Sequence, residues 1–270
     1  MSEAEIVQKT ETPLTRRSLA EVLDACGLSA GQIVLVHSSM SKLGWIPGGP
    51  EAVVLALLDV LGEDGTLMMP SHTSDNSDPA RWENPPVPEA WWPLIRESTP
   101  PYNPATTPSR MMGAIPELFR TWPGTIRSDH PVSSFAAKGP MAEYLISDHS
   151  LEEDLGDMSP VGKLYELDGY VLLLGVGHSN NTSLHLAEYR CDYPSKHSFQ
   201  TGSSMLVDGE QRWVTYETLD LQDDDFEQLG ASFDSTNNIT IHRIAQADVR
   251  LYRQRSLVDY AVDWMENNRK

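Results

Sequence analysis

The chain has 270 residues, with 39 acidic side chains against 20 basic, for a formal net charge of −19. That balance works against a polyanionic partner, so no nucleic acid is expected, and it suits a polycationic small molecule by raising its local concentration. No apolar run approaches the roughly 20 residues of a membrane span, residues 1–15 carry no signal-peptide core, and Cys26 and Cys191 make no disulfide framework, so a cytoplasmic globular protein with no membrane partner is expected.

Residues 1–12 read as a loosely attached tail. Thr15 to Leu28 is an amphipathic helix stopped by Gly27, and Ile33 to Val36 is a buried strand. The loop from His37 to Gly49 follows, then a helix from Pro50 to Leu61. In that loop Ser38, Ser39, Ser41, Gly44, Gly48 and Gly49 can expose backbone N–H groups and hydroxyls to an anion, and the next helix adds its positive end. The spacing matches neither Walker A nor G-x-G-x-x-G, so a plain connecting loop is an equal reading.

Gly65 to Pro70 is a third strand. From Ser71 to Pro108 the chain turns proline-rich, with Trp82, Trp91 and Trp92 among carboxylates at Asp75, Asp78, Glu83 and Glu89. A long irregular stretch with tryptophans reads as an ordered binding insertion or lid. Helices are expected near 115–121, 141–147 and 159–167, with a loop and short strand over 127–139.

Gly169 to Glu188 carries the strongest signal. Val171 to Leu174 is a continuous apolar run, as for a strand covered on both faces. Gly175 and Gly177 permit a sharp exit. Asn180, Asn181 and Thr182 are good N-caps for a helix with Leu184, Leu186 and Ala187 as its apolar positions. Thr182, His185 and Glu188 recur every third residue and so share one helix face. A hydroxyl, an imidazole and a carboxylate thus meet where open α/β sheets bind ligands, at the carboxyl end of a strand. The competing reading is a capped core helix with a satisfied histidine.

Beyond it, Ser204 to Tyr216 alternates around Asp208-Gly209, a hairpin signal. Asp220 to Glu227 reads as a solvated acidic segment, Val249 to Tyr252 as a strand and Ser256 to Asn267 as an amphipathic helix. There is no internal repeat or linker, so residues 1–270 are expected to form one domain, monomeric or homodimeric. The histidines are scattered outside any zinc pattern, so no metal is expected.

The stretches Val36-His-Ser-Ser-Met-Ser, Gly48-Gly-Pro-Glu-Ala-Val, Gly65-Thr-Leu-Met-Met-Pro-Ser, Arg127-Ser-Asp-His-Pro, Ser159-Pro-Val and Leu173-Leu-Gly-Val-Gly-His-Ser-Asn-Asn-Thr-Ser-Leu-His-Leu-Ala-Glu, in that order, resemble the aminoglycoside 3-N-acetyltransferase family. Within it the chain is similar to the branch with Gly-Val-Gly-His, rather than Gly-Ala-Pro-Leu, after the strand. The resemblance implies an α/β fold with a central mixed sheet flanked by helices, unrelated to Gcn5-type acetyltransferases. It implies acetyl-CoA as co-substrate, the 3-amine of a 2-deoxystreptamine aminoglycoside as acceptor, and antibiotic resistance as the outcome. Carried over by position, His185 is the catalytic histidine, with Thr182 beside it and Glu188 near. The loop residues His37, Ser38, Ser39, Met40, Ser41 and Gly44, with Ser109 and Thr182, are implied to hold coenzyme A. Candidates for the acceptor are Asp75, Asp78, Glu83, His178 and Glu188.

Acyl transfer to an amine needs a base to take the amine proton, which suits His185. Glu188 could orient its ring or bind an ammonium. Thr182, or free N–H groups of the helix start, could stabilise the oxyanion. Four other readings stay open: an acyltransferase for an amine metabolite that is not a drug, an acyl-Cys191 route, a hydrolase with a Ser38/His185 pair although no Gly-x-Ser-x-Gly is present, and a non-catalytic binder of a cation.

Overall fold

The computed structural model describes residues 3–270. In chain order they form α1 (Glu3–Lys9), α2 (Arg16–Ala25), β1 (Ile33–Ser38), α3 (Gly49–Leu61), β2 (Thr66–Pro70), α4 (Trp92–Ser98), α5 (Ala114–Arg120), β3 (Ile126–Arg127), β4 (Phe135–Lys138), α6 (Ala142–Ile146), α7 (Pro160–Glu166), β5 (Tyr170–Leu174), α8 (Ser183–Arg190), β6 (Ser198–Val207), β7 (Glu210–Leu219), α9 (Phe226–Thr236), β8 (His242–Ile244), β9 (Ala247–Arg253) and α10 (Gln254–Asn268). Seven strands make one sheet in the order β3-β4-β2-β1-β5-β9-β8, and β6 pairs with β7 apart from it.

The three apolar runs form its parallel centre. β1 pairs in parallel with β2 on one side and β5 on the other, for example Val34 with Leu67 and Val36 with Leu172. β4 and β9 close the flanks antiparallel. The runs are continuously apolar because each strand feeds two cores. Val34, Val36, Leu67, Leu172 and Leu174 point to one face, with residues of α2, α3 and α5. Leu35, Met68, Val171 and Leu173 point to the other, with residues of α6–α10. A mixed sheet with a helical layer on each face therefore organises the molecule, as expected.

The N-terminal segment differs from its sequence reading. Of the expected tail, residues 1 and 2 lie outside the described residues, and Glu3–Lys9 is helical. Its first turn is acidic and its last basic, which complements the helix dipole. It is tied down by Thr10, whose hydroxyl donates to the Ile6 carbonyl at 2.7 Å and accepts from the Trp45 amide at 2.9 Å.

The 71–108 stretch, read from the sequence as an ordered insertion or lid, carries α4 and three short 3-10 turns. It is fastened to the β6–β7 hairpin. Buried Asn76 exchanges two 3.1 Å bonds with the Ser204 backbone, and Gln211 donates to the Glu97 and Thr99 carbonyls. The hairpin turns through Asp208 (φ 54°) and Gly209 (φ 80°), the left-handed pair that a two-residue type I′ connection requires.

Candidate active site

β1, β2 and β5 run parallel, so their carboxyl ends lie side by side, and a cavity of about 310 Å³ opens there. Its walls are built by the end of β1 (His37, Ser38), the exit of β2 (Pro70, His72), the turn before α5 (Met111, Met112), Ser133, Asp154, the β5–α8 turn with Thr182 and His185, and Leu221 and Asp223.

Glycines shape the turn after β5 in two ways. Gly175 adopts φ +74°, which disfavours any side chain. Gly177 is extended, but a Cβ there would run into the Glu227 carboxylate, whose Oε1 accepts from the Ser179 amide at 2.9 Å. The chain then enters α8 with His185 and Glu188 one turn apart. His185 Nδ1 donates to Glu188 Oε2 at 2.5 Å. Glu188 is fully buried, and its Oε1 accepts from the Gln222 amide at 2.9 Å and from Arg269 at 2.6 Å. Both carboxylate oxygens are therefore used inside the protein. The donated Nδ1 proton fixes the tautomer and leaves Nε2 as the ring atom with a free lone pair. Phe226 packs against the ring at 4.8 Å.

Thr182 sits at the N-cap but does not cap the helix. Asn181 does that, its Oδ1 accepting from the Ser183 amide at 3.2 Å. The Thr182 hydroxyl instead lies 3.3 Å from His37 Nε2. Burial foremost, and then His185, push His37 down to about 3, so its imidazole is neutral. Burial does the same to His72, also to about 3. Two polar atoms on the walls, Ser38 Oγ and His72 Nε2, are buried with no partner. Unpaired groups of this kind are what a bound ligand can satisfy.

The remaining predicted residues are dispersed. Ser39 Oγ faces Ser41 Oγ at 3.2 Å. Ser41 and Gly44 line a second hollow of about 670 Å³, against Ile6 to Thr15 of the N-terminal segment. Met40 packs on the α2–α3 core. The amide and hydroxyl of Ser109 both donate to Glu117. Asp75 pairs with Arg110, Asp78 with Arg96, and Glu83 is exposed. None of these three carboxylates lines the cavity that holds His185, because the 71–108 stretch leans on the hairpin and only His72 reaches that cavity.

His178 also points elsewhere. It is buried beside Gly230, 3.0 Å from the Tyr252 hydroxyl and 3.5 Å from Asp234. Cys191 is fully buried, with its Sγ against Met265, and burial pushes its thiol up to about 11, which leaves no thiolate for an acyl intermediate. Ser38 makes no hydrogen bond to His185, so no nucleophile–base pair is assembled there.

The carboxylates on the walls are two that the sequence did not single out. Asp154 is held by Tyr189 (2.7 Å) and Ser133 (2.8 Å), and Asp223 is exposed at the rim. Neither His72 nor Asp154 has a local signature. Asp223 and Asp225, which pairs with Arg269, belong to the acidic run that reads as a solvated surface. Among the described residues no group of three His, Cys, Asp or Glu side chains could hold a metal ion, and no helix is long and apolar enough to cross a membrane.

A family model described as aminoglycoside 3-N-acetyltransferase matches residues 35–266. The chain is 44% identical to the SPβ prophage-derived aminoglycoside N(3′)-acetyltransferase-like protein YokD of Bacillus subtilis, over 97% of this chain and 96% of that one. The crystal structure of YokD superposes with a TM-score of 0.94 over 98% of each chain. Aminoglycoside N(3)-acetyltransferase VII of Streptomyces paromomycinus is 35% identical over 98% of this chain and 96% of its own length. A structure described as AAC-IIIb, binary with CoASH, matches with a TM-score of 0.85 and 30% identity over 95% of this chain and 97% of that one.

Proposed function

The chain belongs to the aminoglycoside 3-N-acetyltransferase family, and from that membership we propose that it moves an acetyl group from acetyl-CoA to the 3-amine of a 2-deoxystreptamine aminoglycoside, with His185 as general base. The observation that carries the mechanism is the His185–Glu188 pair, with Nδ1 engaged and Nε2 free on the cavity wall.

The acceptor ammonium first gives one proton to solvent; the neutral nitrogen then attacks the thioester carbonyl carbon and loses its second proton to His185 Nε2. A C–N bond forms, the C–S bond breaks, and the imidazolium returns the proton to the leaving thiolate. Glu188, buried and fully engaged, orients the ring and stabilises the transient imidazolium rather than binding substrate. The Thr182 hydroxyl is the donor for the oxyanion, and neutral His37 beside it adds no repulsion when His185 becomes charged. Asp154 and Asp223 supply the negative wall for an ammonium-rich acceptor. The coenzyme A of the AAC-IIIb complex supports the donor side, which this reading assigns to the His37–Ser41 loop. Drug resistance and the cytoplasmic location expected from the sequence belong to the same reading.

The test is release of free thiol from acetyl-CoA with and without an aminoglycoside, and mass spectrometry of the product. The wild type should release thiol only with the amine, and the product should gain the mass of an acetyl group less the one hydrogen it replaces. His185→Gln should lower kcat by about 10²–10⁴-fold with little change in acetyl-CoA affinity. Near-normal kcat in that variant would overturn the assignment.

A further inference from the structure

Glu188 is an expensive residue in its position. It is fully buried, and among the described residues its neutral partners are one backbone amide and an imidazole. A buried carboxylate without a charged partner carries an uncompensated desolvation cost. One guanidinium, from the residue that follows α10, changes that balance. Arg269 Nη1 lies 2.6 Å from Glu188 Oε1, and the arginine side chain is only 6% exposed. Its Nη2 donates to the Gln222 carbonyl and Asp225 Oδ1, both at 2.7 Å, and its Nε to Asp225 Oδ2 at 2.8 Å. The same guanidinium lies over Tyr193 and Phe226, and Phe226 is the ring that packs on His185.

We infer that Arg269 is a positioning residue for the acyl transfer: it fixes the charge and the aim of Glu188, and through Glu188 the ring of His185. The inference rests on the reading of His185 as the base. The path is continuous, from Asp225 to Arg269 to Glu188 to His185 Nδ1, and each link is a charge-assisted hydrogen bond. The other groups facing the pair are His37 and His72 across the cavity, Asp154 and Asp223 on its walls, Cys191 and Tyr193 behind it, and Lys196 on the Tyr189 and Cys191 carbonyls. Of these, Lys196 spends its charge on backbone carbonyls, so Arg269 is the cation in contact with the carboxylate.

Two effects follow from its loss. The His185–Glu188 pair binds a proton more tightly when a positive neighbour is taken away, so the acid limb of kcat/KM moves to higher pH. The ring is also less well aimed, so kcat falls even on the alkaline side of that limb.

The experiment compares wild type, Arg269→Gln and Arg269→Lys in the thiol-release assay across pH, with thermal melts. It also follows the His185 ring by NMR titration of the unliganded proteins. Arg269→Gln should lower kcat by at least about tenfold and raise the midpoint of the acid limb, and of the ring titration, by about one pH unit. Arg269→Lys keeps the charge but not the fork, so its midpoint should stay within a few tenths of wild type while kcat recovers only in part. A folded Arg269→Gln protein with unchanged midpoints overturns the inference. If that variant does not fold, Arg269→Lys decides, and a full-unit shift in it is the overturning result. Should the wild type release no thiol with any amine, the acyl-transfer reading fails, and the ring titration still tests Arg269 by itself.

Discussion

His185 presents one nitrogen to a buried anion and the other to a cavity, and the neighbouring side chains are arranged so as not to compete with it. Cys191, six residues further along the chain, is the thiol that follows α8, yet it is sealed against Met265 with its thiol pushed up to about 11. Cys191→Ala should therefore keep kcat within about twofold and cost roughly 1–2 kcal/mol of stability for the small cavity it leaves. Loss of activity in a folded Cys191→Ala protein would reopen the covalent route. Asp223 has the opposite character, exposed at the rim. Asp223→Asn should raise the acceptor KM severalfold at low salt, and the gap from wild type should close at high ionic strength, because exposed charges are screened over about 8–10 Å at physiological salt. Equal KM values at low salt would remove Asp223 from the acceptor wall.

At the scale of elements, α9 shows how close packing overrides helix propensity. Gly230 stands in its interior, where alanine would ordinarily gain up to about 1 kcal/mol in helix propensity. Here a Cβ would enter the ring of His178, which Tyr252 holds at 3.0 Å. Gly230→Ala should lower the urea midpoint, with a net cost of about 1–3 kcal/mol from overpacking. A stabilised variant would mean that the ring can move aside.

The same helix marks where the sequence stops being legible. β1, β2 and β5 could be read because burial on two faces leaves an uninterrupted apolar run. The β6–β7 hairpin could be read because its Asp-Gly turn has few alternatives. The face bearing Thr182, His185 and Glu188 follows from helical spacing. α9, in contrast, starts inside a run of acidic residues whose charge outweighs the spacing of Phe226, Leu229 and Phe233. His72, Asp154, Asp223 and Arg269 come from four distant parts of the chain, and only the folded molecule brings the first three to the cavity and Arg269 to Glu188.

For the whole molecule, the interior is more sensitive to acid than the charge count suggests. His37, His72, His130 and His149 are each pushed from 6.5 down to about 3, foremost by burial. Below pH 6.5 the unfolded chain takes up protons at these rings and the folded chain does not, so stability falls as pH drops from 6.5 towards 3. Between pH 6.5 and 5.5 each ring contributes on the order of 1 kcal/mol to that loss, about four in all. The melting temperature should fall by several degrees over that unit. A flat melting temperature down to pH 5 would show that protons reach these rings in the folded state.

Among the described residues the cavity wall carries two carboxylates, Asp154 and Asp223, and neither lysine nor arginine. On the proposed reaction the substrate arrives as an ammonium and leaves as a neutral amide, so each turnover cancels one unit of the charge that drew the molecule in. A unit charge about 6 Å from a carboxylate is worth about 1–3 kcal/mol in partly solvated surroundings. The wall thus separates reactant from product by its own field: it grips the unmodified amine and relaxes once that amine is acylated, so release needs no moving lid.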